Sequence, residues 1–167
     1  MSWTKVSNNV KLSPELIAKL NALSDMLSFD IEITSGIRSA KSQASAMFGK
    51  IEAGDNTLSD YRNREFANDI VEAYPNLDTA TAIVQEYANQ GLASYHLVGK
   101  AVDVRSKTLS DVQKNEVVKV AKLLGGKPLI ETQPPHIHIS FPDLETKKNN
   151  WLVLGALIGA ILWIFQD

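Results

Sequence analysis

The segment LIETQPPHIHIS, residues 129–140, contains two short apolar runs separated by the turn-forming sequence TQPP. Each run is typical of a β-strand, and a proline-rich connection of this length favours a turn. His136 and His138 stand two residues apart, so both imidazoles point to the same side of an extended strand. The segment therefore predicts a β-hairpin that carries two histidines on one face.

Upstream of this hairpin, strand signals alternate with helix signals. The stretches DIEIT (residues 30–34) and GKAVDVRS (residues 99–106) are typical of short strands. N-capping serines and apolar residues three and four positions apart mark the helices. The predicted helices run from Pro14 to near Phe29, from Ser39 to about Lys50, within residues 54–93, and from Ser110 to Gly125-Gly126. This pattern predicts an α+β fold, with a small, mostly antiparallel sheet flanked by helices.

The chain is predicted to contain one globular domain followed by an apolar tail. Residues 1–145 form the domain in this interpretation, and residues 54–93 are a helical insertion that shapes a substrate groove. Residues 146–150 are a polar, basic linker, and residues 151–165 are a hydrophobic helix. A length of 167 residues suits one domain with a sizeable core.

Composition excludes several functional classes. The net charge is −2, and no basic run exceeds the pair Lys147-Lys148, so we expect no nucleic-acid partner. The chain has no cysteine, which excludes disulfides and thiolate metal sites. Any metal would have to be bound by histidine and carboxylate. The first residues lack an apolar run, so no secretory signal peptide is expected.

The three histidines of the chain fall in two stretches, and each stretch also contains a carboxylate. His96 and Asp103 flank the sequence LVGKAV, where a glycine allows the backbone to turn between them. His138 or His136 would supply a third ligand from a neighbouring strand, and Glu131 lies on the strand before it. Three such ligands and a nearby proton acceptor are what a catalytic zinc site requires. Structural histidines in the core or on the surface are the alternative.

One of these stretches also resembles a known family motif. SYHLVGKAVD, residues 94–103, resembles the S-x-H-x-x-G-x-A-x-D motif of the zinc D-Ala-D-Ala peptidases. That family includes phage L-alanyl-D-glutamate endolysins and the related Hedgehog signalling domain. TSGIRS (residues 34–39) and LIETQPPHIHIS resemble two further family blocks, in the family's order. The resemblance spans roughly residues 30–141 and implies a Hedgehog-like or D,D-peptidase-like fold.

The resemblance also implies the roles of individual residues. His96, Asp103 and His138 would bind Zn²⁺, and Arg38 would bind the substrate. His136 would then donate a hydrogen bond to the tetrahedral intermediate. The reverse assignment, with His136 on the metal and His138 facing the substrate, stays open.

The catalytic acid is where the sequence departs from the family. Many relatives place this acid three residues before the last zinc histidine, but position 135 is proline and position 133 is glutamine. Glu131 is the nearest acid, and we interpret it as the general base and acid. A solvent-facing strand glutamate is the alternative, and that reading would leave the protein without catalysis.

These expectations predict a zinc metallopeptidase that hydrolyses peptidoglycan stem peptides, as a carboxypeptidase or an endopeptidase. It would act in cell-wall lysis or remodelling, and a phage-encoded origin is one interpretation. Two alternatives come from other classes. One is a catalytically silent zinc-binding module, as the Hedgehog relatives suggest. The other is a membrane-anchored structural protein of a virion.

The apolar tail, residues 151–165, predicts a membrane anchor in a host or virion membrane. Trp151 and Trp163 stand near its two ends, as interfacial aromatic residues do. Gly155 and Gly159 form a small-residue face suited to helix packing and thus to an oligomer. The segment is shorter than the ~20 residues that usually span a bilayer. A helix that packs on the domain or builds an oligomer is the alternative.

The charges around the tail bear on its orientation. Two lysines precede it and a single aspartate follows it, so the positive-inside rule keeps the domain on the cytoplasmic side. Peptidoglycan lies on the other side of the membrane. A virion-associated protein, or one released to the wall at lysis, would reconcile the two.

Overall fold

A computed structural model describes residues 2–54, 61, 63–132 and 134–145. Five strands of this part form one sheet in the order β1-β2-β3-β5-β4. The strands are β1 (Trp3–Lys5), β2 (Ile31–Ser35), β3 (Ala101–Arg105), β4 (Lys127–Thr132) and β5 (Pro135–Ser140). Strand β1 pairs in parallel with β2, while the other three pairings are antiparallel.

The helices begin where the sequence provides capping side chains. Ser13, Ser39 and Ser110 each accept a hydrogen bond from the first turn of the helix that follows. Asn63 and Asn76 cap the two helices of the middle region in the same way. The α-helices are α1 (Pro14–Asp25), α2 (Ala40–Glu52), α3 (Arg64–Ala73), α4 (Leu77–Asn89) and α5 (Asp111–Leu123).

Two hydrophobic clusters hold these elements together. The larger one packs one face of the sheet, including Ile137 and Ile139, against α1 and α5. The smaller one lies between α2, α3 and α4, with Phe66 and Met47 fully buried in it. Burying an aliphatic or aromatic side chain contributes roughly 1.5–3 kcal/mol, so both clusters stabilise the fold. The second face of the sheet, next to the smaller cluster, is left for polar residues.

The hairpin of β4 and β5 places its histidines as its alternating sequence predicts. Ile137 and Ile139 are fully buried in the larger cluster, so His136 and His138 point to the opposite face. In the strand register, His138 pairs with Asp103 on one side, and His136 pairs with Glu131 on the other. The two-residue alternation therefore brings all four polar side chains onto one face of the sheet.

The α+β class is confirmed, with differences at particular elements. The sheet is mixed, because β1, α1 and β2 form a crossover that makes β1 parallel to β2. Helix α1 ends at Asp25 rather than near Phe29. Leu27 is still buried in the core, but it lies in the turn that leads into β2. The region 54–93 contains two helices, α3 and α4, as the pattern indicated.

The tail gives a different outcome. No helix within the part of the chain that the structure describes is long and apolar enough to cross a membrane. The predicted hydrophobic helix, residues 151–165, and the linker before it lie outside the described residues. The anchor, its small-residue face and the division of the chain at residue 145 therefore stay predictions.

Candidate metal centre

The loop before β3 is built to present His96. Ser94 accepts a hydrogen bond from the His96 backbone N–H at 3.3 Å and begins a 3₁₀-helix, Tyr95–Val98. Gly99 ends this turn in the left-handed conformation, with φ of 68°, which favours glycine. The chain then enters β3, where Asp103 follows two residues after Ala101. The spacing of the S-x-H-x-x-G-x-A-x-D motif thus corresponds to a cap, a turn and a strand.

Three side chains converge at the point where this loop meets the sheet. His96 Nε2 lies 3.2 Å from Asp103 Oδ1 and 3.2 Å from His138 Nδ1. His138 Nδ1 lies 3.0 Å from the same carboxylate oxygen. His96 and Asp103 are buried, at 2% and 3% exposure, whereas His138 is partly exposed. The three residues could hold a metal ion.

Contacts behind these side chains fix which atoms face the centre. His96 Nδ1 donates to the carbonyl of Gly36 at 2.6 Å, so the lone pair of the neutral ring lies on Nε2. A hydrogen bond of this kind commonly orients a metal-bound histidine. Gly36 has to be glycine, because a Cβ there would collide with the carbonyl oxygen of Lys11.

Arg38 performs the corresponding task for the carboxylate. Its Nη2 donates to Asp103 Oδ2 at 2.5 Å, which leaves Oδ1 turned toward the two histidines. Its Nε donates to Ser35 at 2.8 Å, and its Nη1 donates to the buried Gln43 at 3.3 Å. These three acceptors hold the guanidinium in one orientation beside the centre. Its side chain is 21% exposed, so it also borders the open space above.

The environment favours the protonation states that a metal requires. Burial alone raises the pKa of Asp103, but hydrogen bonds from His138 and His96 hold it well below its usual range. Burial lowers the pKa of His96, which keeps that imidazole neutral. A neutral imidazole and an ionised carboxylate are the forms that bind metal ions.

His136 lies beside the three-residue centre and connects it to Glu131. Its Nε2 is 3.6 Å from Asp103 Oδ1 and 3.5 Å from Glu131 Oε2, and its Nδ1 donates to the Pro134 carbonyl at 2.6 Å. Burial opposes the charged ring, but the Glu131 carboxylate outweighs it and raises the pKa of His136. His136 is therefore a hydrogen-bond donor between two carboxylates.

Glu131 itself is ionised and paired. Burial alone raises its pKa, but hydrogen bonds from His136 and Lys50 lower the pKa to about 2. Lys50 Nζ lies 2.6 Å from Glu131 Oε2, and both side chains are largely buried. The structure thus places Glu131 one imidazole ring away from the three ligand atoms.

A cavity of about 1140 Å³ opens over these residues. Its floor includes the metal-ligand group together with His136 and Glu131, and its walls include residues of α2, α3 and the loop before β3. Tyr61 and Phe66 contribute aromatic surface, and Arg64 contributes an exposed positive charge. The cavity is large enough for a ligand of drug size or larger, such as a short peptide.

All six residues that the sequence singled out lie within this site. The sequence did not single out Lys50, Gln43 or Tyr61, which bond to Glu131, to Arg38 and to Gln43 respectively. A lysine or glutamine on an amphipathic helix resembles any surface residue, so no local signal distinguished them. Comparisons with protein-family models, with curated proteins and with solved structures give no match.

Proposed function

We propose that the protein is a zinc-dependent peptidase that hydrolyses peptide bonds in bacterial cell-wall peptides. The observation that carries this proposal is the triangle of two imidazole nitrogens and one carboxylate oxygen, with an ionised glutamate one side chain away. The triangle lies on the floor of a cavity that can admit a peptide.

The donor set suits zinc better than the common alternatives. Zinc with nitrogen and oxygen ligands at ~2.0–2.1 Å has tetrahedral ligand–ligand distances of roughly 3.3 Å. The three distances between ligand atoms here are 3.2, 3.2 and 3.0 Å. Magnesium and calcium prefer oxygen ligands throughout, whereas two imidazoles and a carboxylate are typical of catalytic zinc sites.

The residues around the triangle can divide the work of peptide hydrolysis. Bound zinc supplies a Lewis acid that lowers the pKa of water and polarises a carbonyl group. Glu131 accepts a proton and returns it to the leaving amine, which a carboxylate in reach of the centre can do. His136 donates a hydrogen bond to the carbonyl oxygen as negative charge develops on it. Arg38 keeps the metal-binding oxygen of Asp103 in position.

The substrate class is supported by the sequence. The motif at residues 94–103, with the blocks around Arg38 and His138, resembles the zinc D-Ala-D-Ala peptidases and the phage endolysins. Each residue of that motif has a structural task at the centre, from the Ser94 cap to Asp103 in β3. A peptide of the cell wall is therefore the substrate that we propose.

Digestion of purified peptidoglycan tests the proposal. We expect the full chain with zinc to release peptides with new amino termini, and we expect a chelator to stop this release until zinc is restored. Mass spectrometry of the muropeptides would identify the bond that is cut. Products that are unaffected by the chelator would contradict the role of zinc, and an intact wall would contradict the activity.

Arg38→Gln is expected to weaken zinc binding by about 10–100-fold, the usual effect of losing a group that orients a metal ligand. The reason is that Asp103 would lose its bond from Nη2 and could turn Oδ1 away from the histidines. Zinc affinity can be measured by competition with a chromogenic chelator. Arg64→Gln, an exposed cation on the same cavity, is the matched control. A change in KM with unchanged zinc affinity would instead assign Arg38 to substrate binding.

A catalytically silent zinc-binding module is the second candidate. The contact between Lys50 and Glu131 favours it, because a carboxylate with a pKa of about 2 is a weak base while the pair persists. Such a module would bind zinc and cell-wall peptides without cleaving them.

A further inference from the structure

The wall of the cavity next to Glu131 contains a lysine that the proposed chemistry does not use. Lys50 Nζ contacts Glu131 Oε2 at 2.6 Å and lies 5.9 Å from the centre of the Tyr61 ring. The Lys50 and Glu131 side chains are only 13% and 14% exposed. This pair is therefore no ordinary surface salt bridge, which water and salt would screen.

The pair creates a conflict with proton transfer. His136 and Lys50 both approach the same oxygen of Glu131, and the ammonium group stabilises the ionised form. Glu131 becomes a stronger base only when Lys50 has another anionic partner. Moving Lys50 away alone would leave a largely buried ammonium unpaired, which is unfavourable.

We propose that Lys50 is a carboxylate-binding subsite of the cavity and determines specificity for peptides with a free carboxylate near the scissile bond. The substrate carboxylate replaces Glu131 on Lys50, and Glu131 is then released for proton transfer. Glu131 itself shows that a carboxylate fits against Lys50 in this fold. The inference rests on the proposed peptidase function.

The other cations around the cavity are less suited to this task. Arg38 already donates to Ser35, Gln43 and Asp103, so binding a substrate carboxylate would compete with its hold on the metal ligand. Arg64 is exposed, and water would weaken its attraction for an anion. Lys50 combines partial burial with direct contact to the proposed base.

A pair of peptides and a pair of lysine variants test the subsite. The peptides are a synthetic cell-wall stem peptide and the same peptide with its carboxylates converted to amides. The variants are Lys50→Met and Lys41→Met, which removes an exposed lysine from the same helix. The wild-type protein should prefer the acid peptide by about tenfold or more, as expected for a hydrogen bond to a charged group. Lys50→Met should lose this preference, and Lys41→Met should keep it.

The split between kcat and KM gives a readout that a structural role would not move. Lys50→Met should have a higher KM for the acid peptide, yet cleave the amide peptide with a kcat at least equal to that of the wild type. Glu131 is already released in that variant. Lys50→Gln, which keeps a hydrogen bond to Glu131 without the charge, should also lose the preference and guards against misfolding. An unchanged acid-to-amide ratio in both Lys50 variants would overturn the proposal.

Peptide binding to the chelator-treated protein separates this inference from the proposed function. Fluorescently labelled acid peptide should bind the metal-free wild type more tightly than the amide peptide, and Lys50→Met should bind both equally. If the wild type binds with this preference but cleaves neither peptide, the peptidase proposal fails and the subsite stands. If it cleaves both but shows no preference, or binds neither, the subsite proposal fails.

Discussion

His96→Ala is expected to lose both zinc binding and peptidoglycan hydrolysis, to below detection. His96 supplies one of three ligand atoms, and it is the ligand whose ring orientation is fixed by the Gly36 carbonyl. Two remaining ligands make a poor zinc site, since catalytic zinc sites use three from the protein. Metal content after gel filtration, measured by atomic emission, and release of muropeptides are the two readouts.

His136→Ala is the matched control, since it removes a histidine from the same cavity without removing a ligand atom of the triangle. We expect it to keep one zinc ion per chain while losing activity. Zinc at 100 times its Kd should stabilise the wild type and this control by about 2.7 kcal/mol, and should leave His96→Ala unchanged. Loss of zinc from His136→Ala but not from His138→Ala would reverse the assignment of the two histidines.

The sequence predicted the centre of this fold well because the relevant signals are local. Alternation of Ile137 and Ile139 with the two histidines determines which face of β5 is buried, whatever surrounds the strand. The capping serine at position 94 and the left-handed glycine at position 99 likewise act within their own turn. Such features depend on neighbours a few residues away, so they can be read from the chain directly.

The features that the sequence did not reveal depend on distant partners. Strand β1 has three residues and exists because β2 offers it an edge. Lys50 contacts Glu131 across 81 residues of chain, and nothing in α2 marks that lysine. The pairing of Arg38 with Asp103 crosses 65 residues. It changes the expected role of Arg38 from contact with substrate alone to support of a metal ligand.

Glu131→Gln is expected to lower kcat by about 10²–10⁴-fold, the usual contribution of a general base. Glutamine has nearly the same shape and can still accept a hydrogen bond from Lys50, but it cannot carry the proton. Zinc content should stay at the wild-type value, because Glu131 is not one of the three ligands. Steady-state hydrolysis of a stem peptide, with metal content measured on the same sample, checks both statements.

Glu32→Gln is the control, because Glu32 forms an exposed pair with Arg105 on the same sheet. We expect it to behave like the wild type. If the wild type cleaves the wall and Glu131→Gln cleaves it equally fast, Glu131 is not the proton carrier. If the wild type binds zinc and stem peptide without cleaving, the silent-module interpretation takes the place of the peptidase.

Combining Glu131→Gln with Lys50→Met separates the two roles of that ion pair. If Lys50 influences the chemical step only through Glu131, then Lys50→Met should not change kcat for the amide peptide once Glu131 is replaced. Its effect on KM for the acid peptide should persist, because the carboxylate subsite does not need Glu131. Such a cycle isolates the interaction between two contacting residues from their individual effects. A gain in kcat from Lys50→Met in the Glu131→Gln background would show that the lysine acts on the reaction by another route.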